Sequence, residues 1–265
     1  VDFADTQPAP GNQAVVTTKQ FFKVTPGLAW RVNDQLAVGA TINLDYQSLA
    51  LYTPAYALPQ NQVFGWGVSL GAVWKPNEQW QVGAAFSSRQ DMGDFDWNTT
   101  AGRFSLAMDA PQSFAVGVAW RPRRGTLVEF DVKHIGFSSV LDSIAVSRPP
   151  GYSGPIPAQL NFGWSDQTVF ALAVQQDIGE LTQLRAGFNY GSSPIGEEDV
   201  NSNIGSLAVV EKHLAIGLTR RLGQRAYGSL SYVHAFSNSI TSSVPPFNTI
   251  ELKQNIVNFQ VTYQH

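Results

Sequence analysis

The sequence predicts an all-β protein, an antiparallel transmembrane β-barrel of the outer-membrane type. The first observation is an alternation of apolar with small or polar residues over segments of about 12–18 residues, well above the usual strand length of roughly 5–6. In the clearest segment the apolar positions are Leu36, Val38, Ala40, Ile42, Leu44 and Tyr46. Because successive side chains of a strand point to opposite faces, this segment has one apolar and one polar face. Such strands suit a wall with lipid outside and water inside.

The composition supports the same fold class. Charged residues make up 14% of the 265 residues, against about 25% in a typical soluble domain, although the mean hydropathy is only −0.10. No run of about 18 apolar residues is present, which excludes a transmembrane helix but not transmembrane strands. The net charge of −3 gives no basic footprint for nucleic acid. The absence of cysteine excludes disulfides and thiolate metal sites.

About eleven segments carry the alternation, and the connections between them alternate in length. The segments cover residues 19–32, 36–49, 63–76, 79–91, 103–121, 126–139, 164–178, 182–192, 207–222, 226–239 and 249–265. Tight turns, such as 32–35 and 76–78, alternate with long loops, such as 140–163 and 193–206. Outer-membrane barrels have short periplasmic turns and longer extracellular loops, so we expect the last strand to end in the periplasm.

This direction has a consequence for the start of the chain. The segment 19–32 would run from the outside inwards, so residues 1–18 are expected to be an extracellular loop remnant and 19–265 the barrel domain. A complete barrel of this type has an even number of strands and begins on the periplasmic side. We therefore expect an odd number of N-terminal strands, most simply three, to be missing. Residues 1–5 have neither the charged n-region nor the apolar h-region of a signal peptide, so we expect such a peptide either to have been cleaved or to lie outside the given sequence.

Aromatic residues at the strand ends fall mostly on the apolar positions of the alternation. They are Trp30, Trp66, Trp74, Trp80, Trp120, Trp164, Tyr232, Phe259 and Tyr263. Amphipathic rings prefer the level of the lipid headgroups, so these residues are interpreted as interfacial girdles. The alternative is the core of a soluble β-sandwich, whose inward faces are also aromatic.

Six short motifs, spread over nearly the whole chain, are similar to those of one family of membrane proteins. They are PGLAWR (26–31), LAVGA (36–40), WQVGAAFSS (80–88), APQSFAVGVAWRP (110–122), EFDVK (129–133) and LRAGFNYGSSPI (184–195). The last is the most specific. In this order they resemble the long-chain fatty acid transporter family of outer-membrane proteins, which includes the aromatic-hydrocarbon transporters.

The resemblance implies a fourteen-stranded barrel with an N-terminal hatch inside it. This chain would supply strands four to fourteen, without the hatch and the first three strands. The implied ligand is a long-chain fatty acid or an aromatic hydrocarbon, with no cofactor, and the implied surroundings are membrane lipid and lipopolysaccharide. Segment 50–62 lies where the family has a loop that forms an outer hydrophobic groove. The groove candidates here are Leu51, Tyr52, Tyr56 and Leu58.

The polar positions of the alternation are those whose side chains face the predicted lumen. Those that carry charge or an amide or imidazole group are Asn43, Asp45, Arg89, Arg121, Glu129, Asp131, Lys133, Arg185, Asn189, His213, Asn258 and Gln260. Most would pair with one another and stay hydrated. One or two cations could instead hold a carboxylate headgroup, because charge-assisted hydrogen bonds are the strong ones. Arg185 and Lys133 are the leading candidates, since both are expected mid-wall beside small residues; Arg89, Asn189 and Asn43 are the others.

Small residues at other lumen-facing positions would leave room for a ligand. They include Gly65, Gly67, Ser69, Gly71, Gly83, Ala85, Ala115, Gly117, Gly187, Ala215 and Gly217. Glycine in a strand can also simply mark a bend or bulge. Pro26 and Pro111 interrupt two of the segments and cannot donate to a ladder, so we expect kinks or bulges there.

Signals for catalysis and metal binding are weak. The segment 67–71 matches G-x-S-x-G, but a nucleophile elbow needs a strand-to-helix turn, and this match falls mid-strand. We therefore assign no catalytic residue, although a phospholipase using Ser69 and His213 is a third hypothesis. Acidic clusters at 91–96 and 197–199 could bind divalent cations that bridge to lipopolysaccharide, but solvated loops explain them as well, and no metal site is assigned.

The leading functional hypothesis is passive uptake of long-chain fatty acids or other hydrophobic small molecules across an outer membrane, by a protein that we expect to be a monomer. The alternative is a barrel that binds lipid or has a structural role but conducts nothing. The sequence alone does not identify the cargo.

Overall fold

The computed structural model describes residues 16–52, 56–206 and 208–263. The strands are β1 (Val16–Val24), β2 (Gly27–Arg31), β3 (Leu36–Tyr52), β4 (Ala57–Trp74), β5 (Trp80–Ser87), β6 (Asp91–Met92), β7 (Asp94–Thr99), β8 (Gly102–Ala107), β9 (Ser113–Arg123), β10 (Thr126–Ile135), β11 (Ser143–Ala145), β12 (Gln159–Asn161), β13 (Gln167–Ile178), β14 (Thr182–Gly191), β15 (Lys212–Arg221), β16 (Ala226–Thr241) and β17 (Thr249–Tyr263). Two short helices lie in loops, α1 (Ser138–Leu141) and a 3₁₀ helix (Glu197–Ser202). Among the described residues, neither helix has the length and apolar character that a membrane-spanning helix requires.

One antiparallel sheet contains the predicted barrel strands in chain order, β1-β3-β4-β5-β9-β10-β13-β14-β15-β16-β17, with β2 beside β3 and β6 beside β4. Counting β1 and β2 as one interrupted strand, this confirms the predicted succession of neighbouring strands. Within the described residues the strands at the two ends of this order have one neighbour each, so the sheet is not closed on itself.

The two faces of the sheet have the polarity of a membrane wall. On β3, Asn43 and Asp45 are each 2% exposed, whereas their neighbours Ile42 and Leu44 are 54% and 50% exposed. A soluble sandwich would bury the apolar set and expose the polar one. This reversal therefore excludes the sandwich interpretation. The apolar face is the lipid face and the polar face is the lumenal face.

Four tryptophans of the apolar face lie at the short-turn end of the wall, whereas the exposed Trp66 lies eight residues above that end of β4. Trp30, Trp74 and Trp80 are exposed near the ends of their strands, and Trp80 stacks on Trp120 with ring centroids 5.7 Å apart. The girdle assignment is wrong for Trp164, which lies in a loop. Its indole donates to the Asn203 side chain at 2.7 Å and packs on a buried cluster of Ile195, Val200, Val209 and Ile250.

Pro26 interrupts the first strand without changing its register. Val24 pairs with Leu44 and Gly27 with Thr41, so the alternation of faces continues across the break. The proline therefore removes a ladder hydrogen bond but adds no bulge. The strand also begins at Val16 rather than at residue 19, and residues 1–15 lie outside the described part of the chain.

The predicted strand 103–121 is wrong in its first part. Pro111 falls in a break between β8 and β9, and β8 pairs with β7 in a separate two-stranded hairpin above the wall. The predicted strands 126–139, 164–178 and 207–222 are shorter in the structure, at Thr126–Ile135, Gln167–Ile178 and Lys212–Arg221. The described extra residues belong to long loops, except Leu222, which lies in a short turn. Leu207 lies outside the described residues.

The long loops cover one end of the wall with a hydrophobic core of their own. Strands β7, β8, β11 and β12 pack with the upper parts of β3 and β4 around a buried cluster: Leu49, Leu58, Val63, Met92, Phe95, Trp97, Phe104, Leu106, Met108, Ile144, Val146 and Ile156. The hairpin β7–β8 buries Phe95, Trp97, Phe104 and Leu106 on one side, in the ordinary alternation of a half-buried hairpin. We call this cluster the loop core.

Candidate functional site

A band of small residues crosses the lumenal face of five neighbouring strands. Gly39 pairs directly with Gly71, Gly71 with Ala85, and Ala85 with Ala115. Ala29 on β2 pairs with Gly39 and begins the band. These residues border a cavity of about 520 Å³, within the range of roughly 300–1,000 Å³ typical of small-molecule sites. Of the predicted small residues, Gly71, Gly83, Ala85, Ala115 and Gly117 border this cavity. Gly65 and Gly67 instead lie under Met92 and Gln90.

Strand β10 supplies the charged side of this cavity. Glu129 and Asp131 both border it, and the Asp131 carboxylate lies directly over Gly117 of β9, where a Cβ atom would come within 1.8 Å of Oδ1. Lys133 follows on the same face, between Ala115 and Val169. Their register opposite Ala119, Gly117 and Ala115 places all three on the lumenal face, and no hydrogen bond or ion pair engages their side chains in the described part of the chain.

Arg185 is held by neutral groups from three strands. Its guanidinium donates to Gln175 Oε1 at 2.8 Å, Gln183 Oε1 at 2.9 Å and Thr219 Oγ1 at 3.0 Å. None of these acceptors carries a charge. The side chain is therefore fixed in direction, while its positive charge stays uncompensated.

Arg185 and Lys133 lie at different levels of the wall. Lys133 pairs with Val169, which pairs with Gly191, six residues beyond Arg185 on β14. At about 3.3 Å per residue, this separates the two levels by roughly 20 Å of strand. Lys133 lies near the loop end rather than mid-wall, and one carboxylate cannot contact both side chains.

Asn189 and Asn43 have fixed partners. The Asn189 Oδ1 atom lies 2.8 Å from His213 Nδ1 on the neighbouring strand. Asn43 donates to Ser69 Oγ at 2.9 Å, and Ser69 donates to Ser87 Oγ at 3.1 Å. These groups tie neighbouring strands together on the lumenal face.

The same contacts bear on the phospholipase hypothesis. Ser69 lies on β4 inside an uninterrupted strand, and His213 lies on β15, with five sheet strands between them in the order. Each side chain is engaged by a different asparagine. The structure does not form the serine–histidine pair.

The alternation predicts the wrong face for Arg89, because a β-bulge follows β5. Ser87 pairs with Ser69, whereas Met92 pairs with Gly65, so one extra residue separates the two registers. Gln90 rather than Arg89 takes the lumenal position, with its amide packed over Gly67. Arg89 instead forms an ion pair with Asp109, which also accepts the Met92 N–H at 2.8 Å.

The lumenal face holds a polar cluster that the sequence analysis did not assign. Lys23 Nζ lies 3.5 Å from Asp45 Oδ1 and 3.5 Å from Gln90 Oε1. The Asp45 side chain is fully buried, and neither carboxylate oxygen accepts a hydrogen bond from the described residues. Lys19 and Lys23 lie four residues apart on the face of β1 that pairs with the lumenal positions of β3, and this spacing was the available signal for the cluster.

Of the four groove candidates, three contribute to the loop core instead of lining an open groove. Leu58 is buried, and Leu51 and Tyr56 pack against the same cluster. Tyr52 is exposed. Burial raises the pKa of the Tyr56 hydroxyl, which keeps it neutral in the physiological range.

The acidic loop residues have individual environments. Hydrogen bonds from Arg103 hold the pKa of the Asp96 carboxyl below its usual range, and hydrogen bonds from Ser138 do the same for Asp166. Burial, followed by repulsion from Glu198 and Asp142, raises the pKa of Asp199. In the described residues, no group of three or more acidic or histidine side chains has a geometry that could hold a metal ion.

The sheet, its reversed polarity and its lumenal cavity define a β-barrel protein of the outer membrane. A family model described as outer membrane protein transport protein (OMPP1/FadL/TodX) matches residues 1–206. This is more than half of the chain, so the protein belongs to that family. Comparison with curated proteins gave no match.

Solved structures of similar fold agree with this assignment. The Ralstonia pickettii toluene transporter TbuX matches with a TM-score of 0.69 and 16% identity, over 94% of this chain and 69% of that one. The CymD monoaromatic hydrocarbon channel matches with 0.69 and 18%, over 94% and 74%. A Pseudomonas aeruginosa FadL homologue matches with 0.69 and 12%, over 92% and 67%. At these identities the likeness shows the fold.

Proposed function

We propose that this chain serves passive uptake of hydrophobic small molecules, either long-chain fatty acids or aromatic hydrocarbons, across the outer membrane. Membership of an outer-membrane transport family supports a transport role. The similar structures include a toluene transporter and a monoaromatic hydrocarbon channel, so both cargo classes belong in the test.

The band of small residues is the observation that carries the proposal. Glycine and alanine occupy the lumenal positions of five strands, where larger side chains would fill the bore. The cavity they border is almost entirely apolar apart from Gln81 and the carboxylates of Glu129 and Asp131. An apolar surface with few polar groups is typical of a site for hydrophobic ligands.

Uptake of radiolabelled palmitate and of radiolabelled toluene by cells with and without the protein tests the proposal. We expect the protein to increase the initial rate for at least one of them, in proportion to concentration and without an energy source. Equal rates with and without the protein, for both solutes, would contradict transport.

A barrel that binds lipid without conducting it is the second candidate. Buried side chains of Asn43, Asp45, Gln47 and Gln90 fill the lumenal face beneath the loop core, which narrows any path at that level. Saturable binding of palmitate to purified protein, together with an absence of flux in proteoliposomes, would select this candidate.

A further inference from the structure

Three basic side chains gather on the lipid face where the wall meets the long loops. Lys212 opens β15, and its lipid-face neighbour Leu214 pairs with His234 of β16. His234 in turn pairs with Asn255 of β17, two residues beyond Lys253. Diagonal neighbours of this kind on adjacent strands are about 7–8 Å apart. We call Lys212, His234 and Lys253 the basic patch.

A bulge in β16 lies beside the patch. Ala235 pairs with Gln254 and Asn238 with Leu252, so Phe236 and Ser237 together oppose Lys253. The His234 and Phe236 rings form a T-shaped contact, with ring centroids 4.8 Å apart. Its Nδ1 lies 2.7 Å from Asn255 Oδ1, which also accepts the Tyr232 hydroxyl at 2.6 Å. These contacts fix the imidazole on the lipid face and leave Nε2 directed away from the asparagine.

The lysines of the patch have no acidic partner. None of the ion pairs among the described residues involves Lys212 or Lys253. Glu251, two residues from Lys253 on the same face of β17, accepts the Ser237 hydroxyl, and Glu211 accepts the Ser193 N–H at 3.0 Å. The patch therefore presents two lysine charges that no ion pair engages, beside the single carboxylate of Glu251 on the same face.

The level of the patch matches the outer boundary of the bilayer. Lys212 and Arg221 are the two ends of β15, and nine residue steps on a strand tilted by about 40° correspond to roughly 23 Å of height. The apolar band of an outer-membrane barrel is about 25 Å tall. Below the patch the same face exposes Leu214, Ile216, Val257 and Phe259, so acyl chains would lie directly under the charges.

We propose that Lys212, His234 and Lys253 form a binding site for the phosphate groups of lipopolysaccharide in the outer leaflet. The ammonium groups donate charge-assisted hydrogen bonds to phosphate oxygens, and the apolar surface below accommodates the acyl chains. Tyr190, which pairs with Lys212, lines the same boundary. This inference rests on the orientation of the wall and is independent of the proposed transport.

Binding of lipid A to the full chain in detergent tests the site. The variant combines Lys212→Gln and Lys253→Gln. The matched control combines Lys75→Gln and Arg220→Gln, which removes two charges at the opposite, short-turn rim. We expect lipid A carrying both phosphates to bind the patch variant at least about tenfold more weakly than the wild type, and the control within about twofold of the wild type.

The lipid itself provides a test that needs no substitution. Dephosphorylated lipid A should bind the wild-type protein as weakly as intact lipid A binds the patch variant, and inorganic phosphate should not compete. Equal affinity for the two lipids, an unchanged patch variant, an equal loss in the control, or displacement by inorganic phosphate would each overturn the proposal.

Discussion

At the scale of the residue, Asn43 shows how amide groups stabilise the lumenal face. It is buried and bridges Thr41 and Ser69, so its removal leaves polar partners unsatisfied. We expect Asn43→Ala to lower the free energy of unfolding by about 1–2 kcal/mol, measured by urea titration of the refolded protein in detergent. Asn258→Ala is the matched control, because Asn258 is exposed and has only a 3.5 Å contact to Ser231. Equal losses in the two variants would refute this role for Asn43.

Gly117 is the residue that lets the Asp131 carboxylate lie across the cavity. Gly117→Leu would displace that carboxylate and fill part of the space. We expect a folded barrel whose hydrophobic uptake is reduced at least severalfold, measured with the labelled solutes above. Gly223→Leu is the control, since a Cβ atom there has no neighbour within 4 Å among the described residues. Unchanged uptake by the Gly117 variant would remove this cavity from the transport route.

Asp199 gives a prediction about pH. Its raised pKa means that the folded loop disfavours the charged carboxylate, so the loop is most stable below the ordinary pKa and loses stability as pH rises through the raised value. Asp199→Asn should therefore increase protection of the Asn203 amide, which donates to Val200 O, at pH 7 but not near pH 3. Hydrogen exchange at the two pH values measures this. A greater gain near pH 3 would contradict the assignment.

At the scale of the element, alternation predicts the faces of a strand but not its partners. Residues 103–107 alternate as the barrel strands do, yet they form a loop hairpin, because the same pattern suits any strand with one buried face. Arg89 was misplaced for a related reason. A single bulge residue reverses every face beyond it, and no residue type in 87–91 marks the bulge.

The hairpin β7–β8 is expected to depend on the loop core rather than on the wall. Trp97 is buried there, and its indole donates to Pro59 O at 2.7 Å. Trp97→Ala should cost about 3–5 kcal/mol locally and open the hairpin to trypsin at Arg103, while the barrel keeps its resistance to SDS at room temperature. Trp120→Ala, on the lipid face, should leave cleavage at Arg103 unchanged. Loss of SDS resistance in the Trp97 variant would show that the two units are coupled.

At the scale of the whole molecule, the succession of strands and the reversed polarity could be predicted from the sequence. A strand with lipid on one face and water on the other alternates apolar and polar residues along its whole length. The candidate site was predicted less completely. The small-residue band follows from the same period, whereas the Lys23–Asp45–Gln90 cluster depends on the register of β1 against β3 and on the bulge after β5. Trp164 has the residue type expected in an interfacial girdle, and only its contacts in the loop show that it does not belong to one.

The direction of the edge strands bears on closure of the barrel. The strand formed by β1 and β2 and the strand β17 both run from the loop end to the short-turn end. Antiparallel closure between parallel edges requires an odd number of further strands, in agreement with the predicted three. A second copy inserted in the same orientation would place β17 beside a parallel β1, so closure by a dimer is disfavoured. This number of strands stays a prediction.

Accessibility of alternate residues on β10 tests the central claim most directly. Because the chain has no cysteine, single-cysteine variants can be made without a background. In proteoliposomes, Asp131→Cys and Lys133→Cys should react with a charged, membrane-impermeant maleimide, whereas Phe130→Cys and Val132→Cys should be protected by lipid. Labelling of all four at equal rates, or the opposite alternation, would contradict a wall with a wet lumen and a lipid-facing exterior.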